Sequence, residues 1–314
     1  MRKLLFLVIL TSLLILAACG GDSGSSVTLK LAHSGSDSHQ YQIAAEKFKE
    51  LVEEKTDGEI NVEINGNATL GSEADAVEQV MDGSIEMTTV AADSSFSNTV
   101  KEMNVFGIPY LFEDENHLYS VLDGEIGQEL LNLTEDYDMK GLGYWEVGFR
   151  HLTNNKQEIH TPEDVQGLEV RVQPADVWEQ HMTALGAKPT PVDFNELYSA
   201  LDQGVVDGQE NPLPTIDSMK FYEVQDYVAL TSHTYTPAIV VMNLYVYNDL
   251  SEKHQQVIQE AVEETTEYHR NTLAEKEDEI IQKLEENGVT VTEPDRDAFR
   301  EATQDVKDAV LDQV

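Results

Sequence analysis

The sequence predicts an α/β protein of two lobes with a cleft between them. Three observations lead there. Strand-like and helix-like apolar periods alternate from Val27 to Val90, and a second such series begins near Met139. The 314 residues are 40% hydrophobic and 25% charged, the balance of a folded chain with a full core rather than of a disordered acidic one.

Val27–Ala32 alternates as a half-buried strand, and Ile43, Ala44, Phe48, Leu51 and Val52 follow at helical spacing. Strand Glu59–Ile64, a helix through Ala76, Val77, Val80 and Met81, and strand Glu86–Val90 complete a strand-helix alternation that implies parallel pairing. In the second series, strands are expected at Gly141–Val147, Leu168–Val172 and Pro189–Val192, with helices around Trp178–Leu185 and Phe194–Leu201. Asp207-Gly208 reads as a turn before Asn211-Pro212, a loop able to present a rigid amide to a cleft. Tyr227–Thr231 and Ala238–Tyr247 are β-rich. Ser251 caps a charged amphipathic pattern that reaches about Glu286 without Gly or Pro. One helix of ~35 residues and ~50 Å fits it, and so do two helices with an unmarked break. Val289–Thr292 and a helix from about Asp295 close the chain.

The N-terminus reads differently. Basic Arg2 and Lys3 precede an apolar run from Leu4 to Leu16, an export signal too short for an ordinary membrane span. Leu16-Ala17-Ala18-Cys19 is similar to a bacterial lipobox, which makes residues 1–18 a lipoprotein signal peptide, Cys19 the lipidated residue, and 19–26 a flexible Gly/Ser tether. The expectation is an exported protein held by lipid at the outer face of the cell membrane, or in the periplasm. Since no later segment is apolar enough to span a bilayer, carrying a solute across would need membrane partners.

Charge excludes one class outright. With 59 Asp+Glu against 20 Lys+Arg the formal charge is −39, which no nucleic-acid binder tolerates. Signal cleavage removes two basic and no acidic residues, leaving 18 basic against 59 acidic and a net −41. Such a surface suits a saline or alkaline habitat, and in brine screening silences its repulsion. Motifs for nucleotide binding, zinc hydrolysis and serine hydrolysis are absent, and a single cysteine rules out a disulfide framework. No cofactor or metal site is expected. Carboxylate pairs nominate nothing, because chance pairs abound among 59 acids.

Arginine is scarce and therefore informative. Only Arg150, Arg171, Arg270, Arg296 and Arg300 survive cleavage. In Leu168-Glu169-Val170-Arg171-Val172, alternation sets Arg171 and Glu169 on the face opposite the apolar residues, where a fixed guanidinium serves either a structural ion pair or a carboxylate ligand.

Five segments then fall in one order: Gly148-Phe149-Arg150-His151-Leu152-Thr153-Asn154; Thr161-Pro162-Glu163-Asp164-Val165-Gln166-Gly167-Leu168-Glu169-Val170-Arg171-Val172; Ala184-Leu185-Gly186-Ala187-Lys188-Pro189-Thr190-Pro191; Val205-Val206-Asp207-Gly208-Gln209-Glu210-Asn211-Pro212; and Lys220-Phe221-Tyr222-Glu223-Val224. Together with Leu70-Gly71-Ser72-Glu73 and Ile108-Pro109-Tyr110-Leu111-Phe112, this resembles the solute-binding proteins of tripartite ATP-independent periplasmic (TRAP) transporters, the DctP type, over essentially the whole mature chain.

The resemblance implies a two-lobed periplasmic-binding-protein fold with an interlobe ligand cleft. Lobe I would be 27–149 completed by about 238–270, and lobe II 150–237 completed by about 271–314, with one long helix spanning both. It implies that Arg171 pairs bidentately with a substrate carboxylate, assisted by Arg150 and by an amide donor from Asn211. Phe194 would pack at the site and Glu73 would take a substrate hydroxyl. His33, Gln40, Tyr235 and Asp93 would line the distal cleft. Glu169 departs from the family pattern and is expected to turn to solvent. The implied function is non-enzymatic capture of a small organic anion by a monomer, for delivery to the small and large integral membrane proteins of a TRAP permease. A sugar acid is the first expectation and a C4-dicarboxylate or keto acid the next; a ligand sensor feeding a membrane kinase and an extracellular hydrolase are the rivals.

Overall fold

The computed structural model describes residues 26–274 and 276–313; the signal sequence and Cys19 lie outside the described residues. Strand β1 (Val27–Ala32), helix α1 (Gln40–Lys55), strand β2 (Ile60–Asn65), helix α2 (Glu73–Asp82) and strand β3 (Met87–Ala91) form the expected alternation. β1 lies between β2 and β3 and is parallel to both. Ser72 caps α2 through a reciprocal bond with Asp75, which puts Glu73 at the first helical position. Helices α3 (Glu115–Leu122) and α4 (Glu125–Leu133) lead into strand β4 (Met139–Asn154), far longer than the stretch predicted.

β4 is the strand that both lobes share. Its Met139–Phe149 part pairs antiparallel with strand β9 (Tyr235–Asn243), and its Arg150–Asn154 part pairs with strand β7 (Gly208–Pro212). A register shift between Glu146 and Gly148, with Gly148 at φ 122°, bends it where it passes from one lobe to the other. The second lobe follows: β5 (Glu169–Val172), α5 (Asp176–Ala184), β6 (Lys188–Pro191), α6 (Leu197–Asp202), β7 (Gly208–Pro212), α7 (Leu213–Ser218) and β8 (Tyr227–Ala229). β9 (Tyr235–Asn243) then returns to the first sheet, so the strand order is β2-β1-β3-β9-β4-β7-β5-β6. Each lobe has a core on both faces of its sheet: Phe48 and Trp145 on one side of the first, Phe96 and Phe106 on the other; Trp178 and Phe221 on opposite sides of the second.

Four expectations are corrected. The segment 208–212 is a buried strand, not a turn, because β4 supplies partners for its backbone from Asn154 to Arg150. The β-rich stretch that was to run to Tyr247 ends at Asn243, whose side chain accepts from the Tyr245 and Val246 amides and starts helix α8 (Leu244–Asp249). The long helix is described as two, α9 (Glu252–Ala274) and α10 (Glu277–Glu286), and the amide of Lys276, just before the second, bonds the Leu273 carbonyl. α9 buries Ile258, Ala261 and Val262 on the first lobe, whereas α10 buries Ile280 and Leu284 on the second, so one continuous stripe serves neither. After β10 (Thr290–Thr292), the closing segment is also two helices, α11 (Arg296–Ala302) and α12 (Val306–Leu311). No helix among the described residues is long and apolar enough to cross a membrane.

Glu146 ties β4 to α9. Its carboxyl takes hydrogen bonds from Tyr235 and Tyr119 and faces Arg270 Nε at 3.2 Å. Burial pushes it up to about 7 despite Arg270, because that guanidinium is engaged bidentately by Asp123 at 2.6 and 2.9 Å. The native state therefore holds a proton that the unfolded chain releases above its ordinary 4.5, and this contribution to stability is lost as pH rises through about 7. Glu146→Gln should flatten the fall in urea midpoint across that window; a slope equal to wild type would remove Glu146 as its source. The β4–β7 contact is equally testable. A Cβ on Gly208 would lie 2.2 Å from the Thr153 carbonyl oxygen, whereas Gly167, at φ +80°, has nothing within 4 Å. Gly167→Ala should cost about 1 kcal/mol for backbone strain, and Gly208→Ala clearly more by the same denaturation measurement.

Candidate functional site

The C-terminal ends of the parallel strands β1, β3 and β5 meet at one cavity, about 440 Å³ counted with its open mouth. The first lobe lines it with His39, Tyr41, Glu73 and Ser94; the second with Arg171, Gln173, Asp193, Phe194 and Thr215; Arg150 and Asn211 come from the paired strands β4 and β7.

Its two guanidinium groups are in unlike states. Arg150, 2% exposed, is held by Glu210, with Nε to Oε2 at 2.5 Å and Nη2 to Oε1 at 3.0 Å. Nη2 also donates to the Glu210 carbonyl at 2.7 Å and Asn211 Oδ1 at 3.1 Å. Gln173, with its amide turned to suit its neighbours, donates to Glu210 at 2.7 Å and accepts from Arg150 at 2.8 Å. His233 completes the group at 3.2 Å from Glu210 Oε2. Although burial opposes ionisation, the Arg150 charge and these bonds bring the Glu210 carboxyl down to about 2.

Arg171, 1% exposed, has no such acid. Its Nε donates to the Val192 carbonyl at 2.8 Å, which fixes the plane of the group, while Nη1 and Nη2 have no partner among the described residues. Burial pushes its guanidinium down to about 10, helped by Arg150 and opposed by Glu210, so it stays a cation at neutral pH. Across the cavity Glu73 accepts from Ser34 at 2.9 Å and from Ser94 at 3.2 Å, one hydroxyl on each oxygen. Burial pushes its carboxyl up, and the two serines and the arginines oppose that.

Arg171, Arg150, Asn211, Glu73 and Phe194 are thus brought together, and Glu169 is exposed, as expected. The Asn211 amide is less free than expected, since Nδ2 donates to Gln209 at 2.5 Å. The other four expected residues do not line the cavity. His33 turns away to Gln42 at 2.9 Å. Gln40 bonds the Val147 carbonyl and Thr215 beneath the site, at 3.2 and 2.6 Å. Tyr235 points to Glu146 on the far face of β9, one residue out of phase with Thr236, which faces the site side. Asp93 stands behind it, accepting from Thr236 at 2.9 Å, with burial pushing it up to about 7. Sequence reasoning missed His39, Gln173, Ser94 and Thr215. Only His39 carried a signal, as the residue just before the helical pattern of α1.

The chain can now be set beside known proteins. The family model described as bacterial extracellular solute-binding protein, family 7 (DctP), matches residues 31–313. The 2,3-diketo-L-gulonate-binding periplasmic protein YiaO of Escherichia coli K12 is 34% identical over 91% of this chain and 88% of its own. A TRAP periplasmic solute binding protein from Bordetella bronchispeptica, with density assigned as pantoate, superposes with a TM-score of 0.89 at 35% identity, covering 92% of this chain and 96% of that one. One from Polaromonas sp. JS666, bound to D-erythronate, gives 0.87 at 33% identity, covering 92% and 98%. Fold and sequence agree: the chain belongs to the family 7 extracellular solute-binding proteins and is a TRAP transporter solute-binding protein.

Proposed function

We propose that the protein captures a small monocarboxylate carrying hydroxyl or keto oxygens, a sugar acid foremost, and delivers it to the small and large membrane subunits of a TRAP permease. The observation that carries this reading is the pair of buried, unpartnered nitrogens on Arg171, fixed in plane by the Val192 carbonyl. A carboxylate entering the cleft loses its water and recovers two charge-assisted bonds there, each worth roughly 1.5 to 3 kcal/mol. Arg150, neutralised by Glu210, supplies position rather than net charge. Glu73 weighs against a C4-dicarboxylate: with a serine donor on each oxygen it is itself an acceptor, which welcomes a hydroxyl and repels a second carboxylate. The relatives named with diketogulonate, pantoate and D-erythronate are consistent with an oxygen-rich monoanion.

Closure would hinge on β4 and on the break between α9 and α10, with lobe I as 27–149 plus about 238–270 and lobe II as 150–237 plus about 271–314. We take the protein to act as a monomer, anchored through lipidated Cys19. No bond in the solute is made or broken; the family binds and hands over.

A thermal-shift screen against sugar acids tests the reading, since a ligand at 1,000 times its dissociation constant adds about 4 kcal/mol to stability. Arg171→Ala should abolish the shift while far-ultraviolet circular dichroism stays native; a retained shift would refute the assigned clamp. Glu73→Gln should let succinate bind at least tenfold more tightly than to wild type, by calorimetry, because one repulsive charge is gone. An unchanged succinate affinity would take Glu73 out of the selection.

A further inference from the structure

His39 is the cavity-lining residue whose role neither the family signature segments nor the arginine geometry settles. It caps α1: its Nδ1 accepts the Tyr41 backbone amide at 3.1 Å. An imidazolium donates from both nitrogens and accepts at neither, so this bond requires a neutral ring with its one proton on Nε2. The ring is also immobilised. A Cβ on Gly35 would fall 2.4 Å from its Cγ and Nδ1, so the chain passes against one face at a position that only glycine fills. Tyr41 meets it edge-on at 4.6 Å between centroids and Phe194 of the opposite lobe at 5.8 Å. Nε2–H has only a long bond, 3.5 Å, to Thr215 Oγ1, which takes its short bond from Gln40 at 2.6 Å, so the His39 donor is weakly held and the Thr215 hydroxyl proton stands beside it on one wall of the cavity.

We propose that His39 is a specificity-determining residue: a permanently neutral Nε2–H donor that, with Thr215, receives an acceptor oxygen of the solute, a keto or hydroxyl oxygen away from the carboxylate on Arg171. This rests on the carboxylate-capture reading and deepens it. Arg171 and His39 both donate and Glu73 accepts, so the favoured solute offers acceptor oxygens at two places and a hydroxyl proton at a third. The titratable groups around the ring reinforce its neutrality: burial comes first and His33 and His269 add to it, all lowering His39 well below the ordinary value, while Tyr41 on its own helix is itself held neutral by burial.

Two measurements decide this. In protein labelled with ¹⁵N-histidine, long-range proton-nitrogen correlation should find His39 bare at Nδ1 and protonated at Nε2, unchanged between about pH 5.5 and 8, where an ordinary histidine titrates. A proton on Nδ1, or titration within that window, overturns the proposal. His39→Asn keeps a good helix cap while withdrawing the ring donor. It should keep a native far-ultraviolet circular dichroism spectrum, with a melting temperature lowered only by the lost ring packing, and weaken binding of D-erythronate, the probe, about tenfold, the loss of one hydrogen bond. Unaltered D-erythronate affinity in this variant overturns the solute-facing role. Failure of the wild type to bind D-erythronate or any other sugar acid overturns instead the capture reading on which it rests.

Discussion

Two buried guanidinium groups repel each other, and the fold answers by pairing one of them, Arg150, with the Glu210 carboxylate, which Gln173 and His233 also hold. Everything at the site depends on that allocation. Breaking a buried pair of this kind by removing one partner costs about 3 to 5 kcal/mol, so the arrangement is not negotiable during solute binding. Glu210 reaches Arg150 because β7 runs antiparallel to the second part of β4, and β7 approaches that closely because Gly208 has no side chain to meet the Thr153 carbonyl. The same strand carries Asn211. Arg171 keeps its charge, and its Nη1 and Nη2 have no partner among the described residues.

Much of this was legible in the sequence. The parallel lobe, the strand carrying Arg171 and the order of the signature segments are local patterns, and the structure keeps them. What stayed hidden depends on direction and phase. Tyr235 and Thr236 are neighbours in one strand, yet a period of two sends one to Glu146 and the other to Arg150. His33 and Gln40 flank a turn whose geometry no periodicity encodes. The break after α9 carries no glycine or proline; it exists because two lobes claim two stripes of one amphipathic run. Glu210 was invisible as a partner since one acid among 59 attracts no notice.

The large negative charge and the anionic solute are reconciled by depth. The acids that set the net charge lie mostly at the surface, where salt screens them within about 10 Å at 0.1 M. The site's charges are buried and little screened. On the proposed reading, a scarce buried cation would govern equilibrium binding, while the surface would act chiefly on the approach.

Trp178 gives the seam between the lobes an optical signature. The chain has two tryptophans. Trp145 sits in the core of the first lobe against Phe48. Trp178 belongs to the second lobe, but its indole N–H donates across the seam to the Asp93 carbonyl at 2.8 Å, and the Arg150 guanidinium lies 5.0 Å above its ring. Parting the lobes would strip that indole of its hydrogen bond and leave Trp145 among the same neighbours. The intrinsic fluorescence of the protein would then divide into a constant and a variable emitter, and the variable one would read closure without any attached dye.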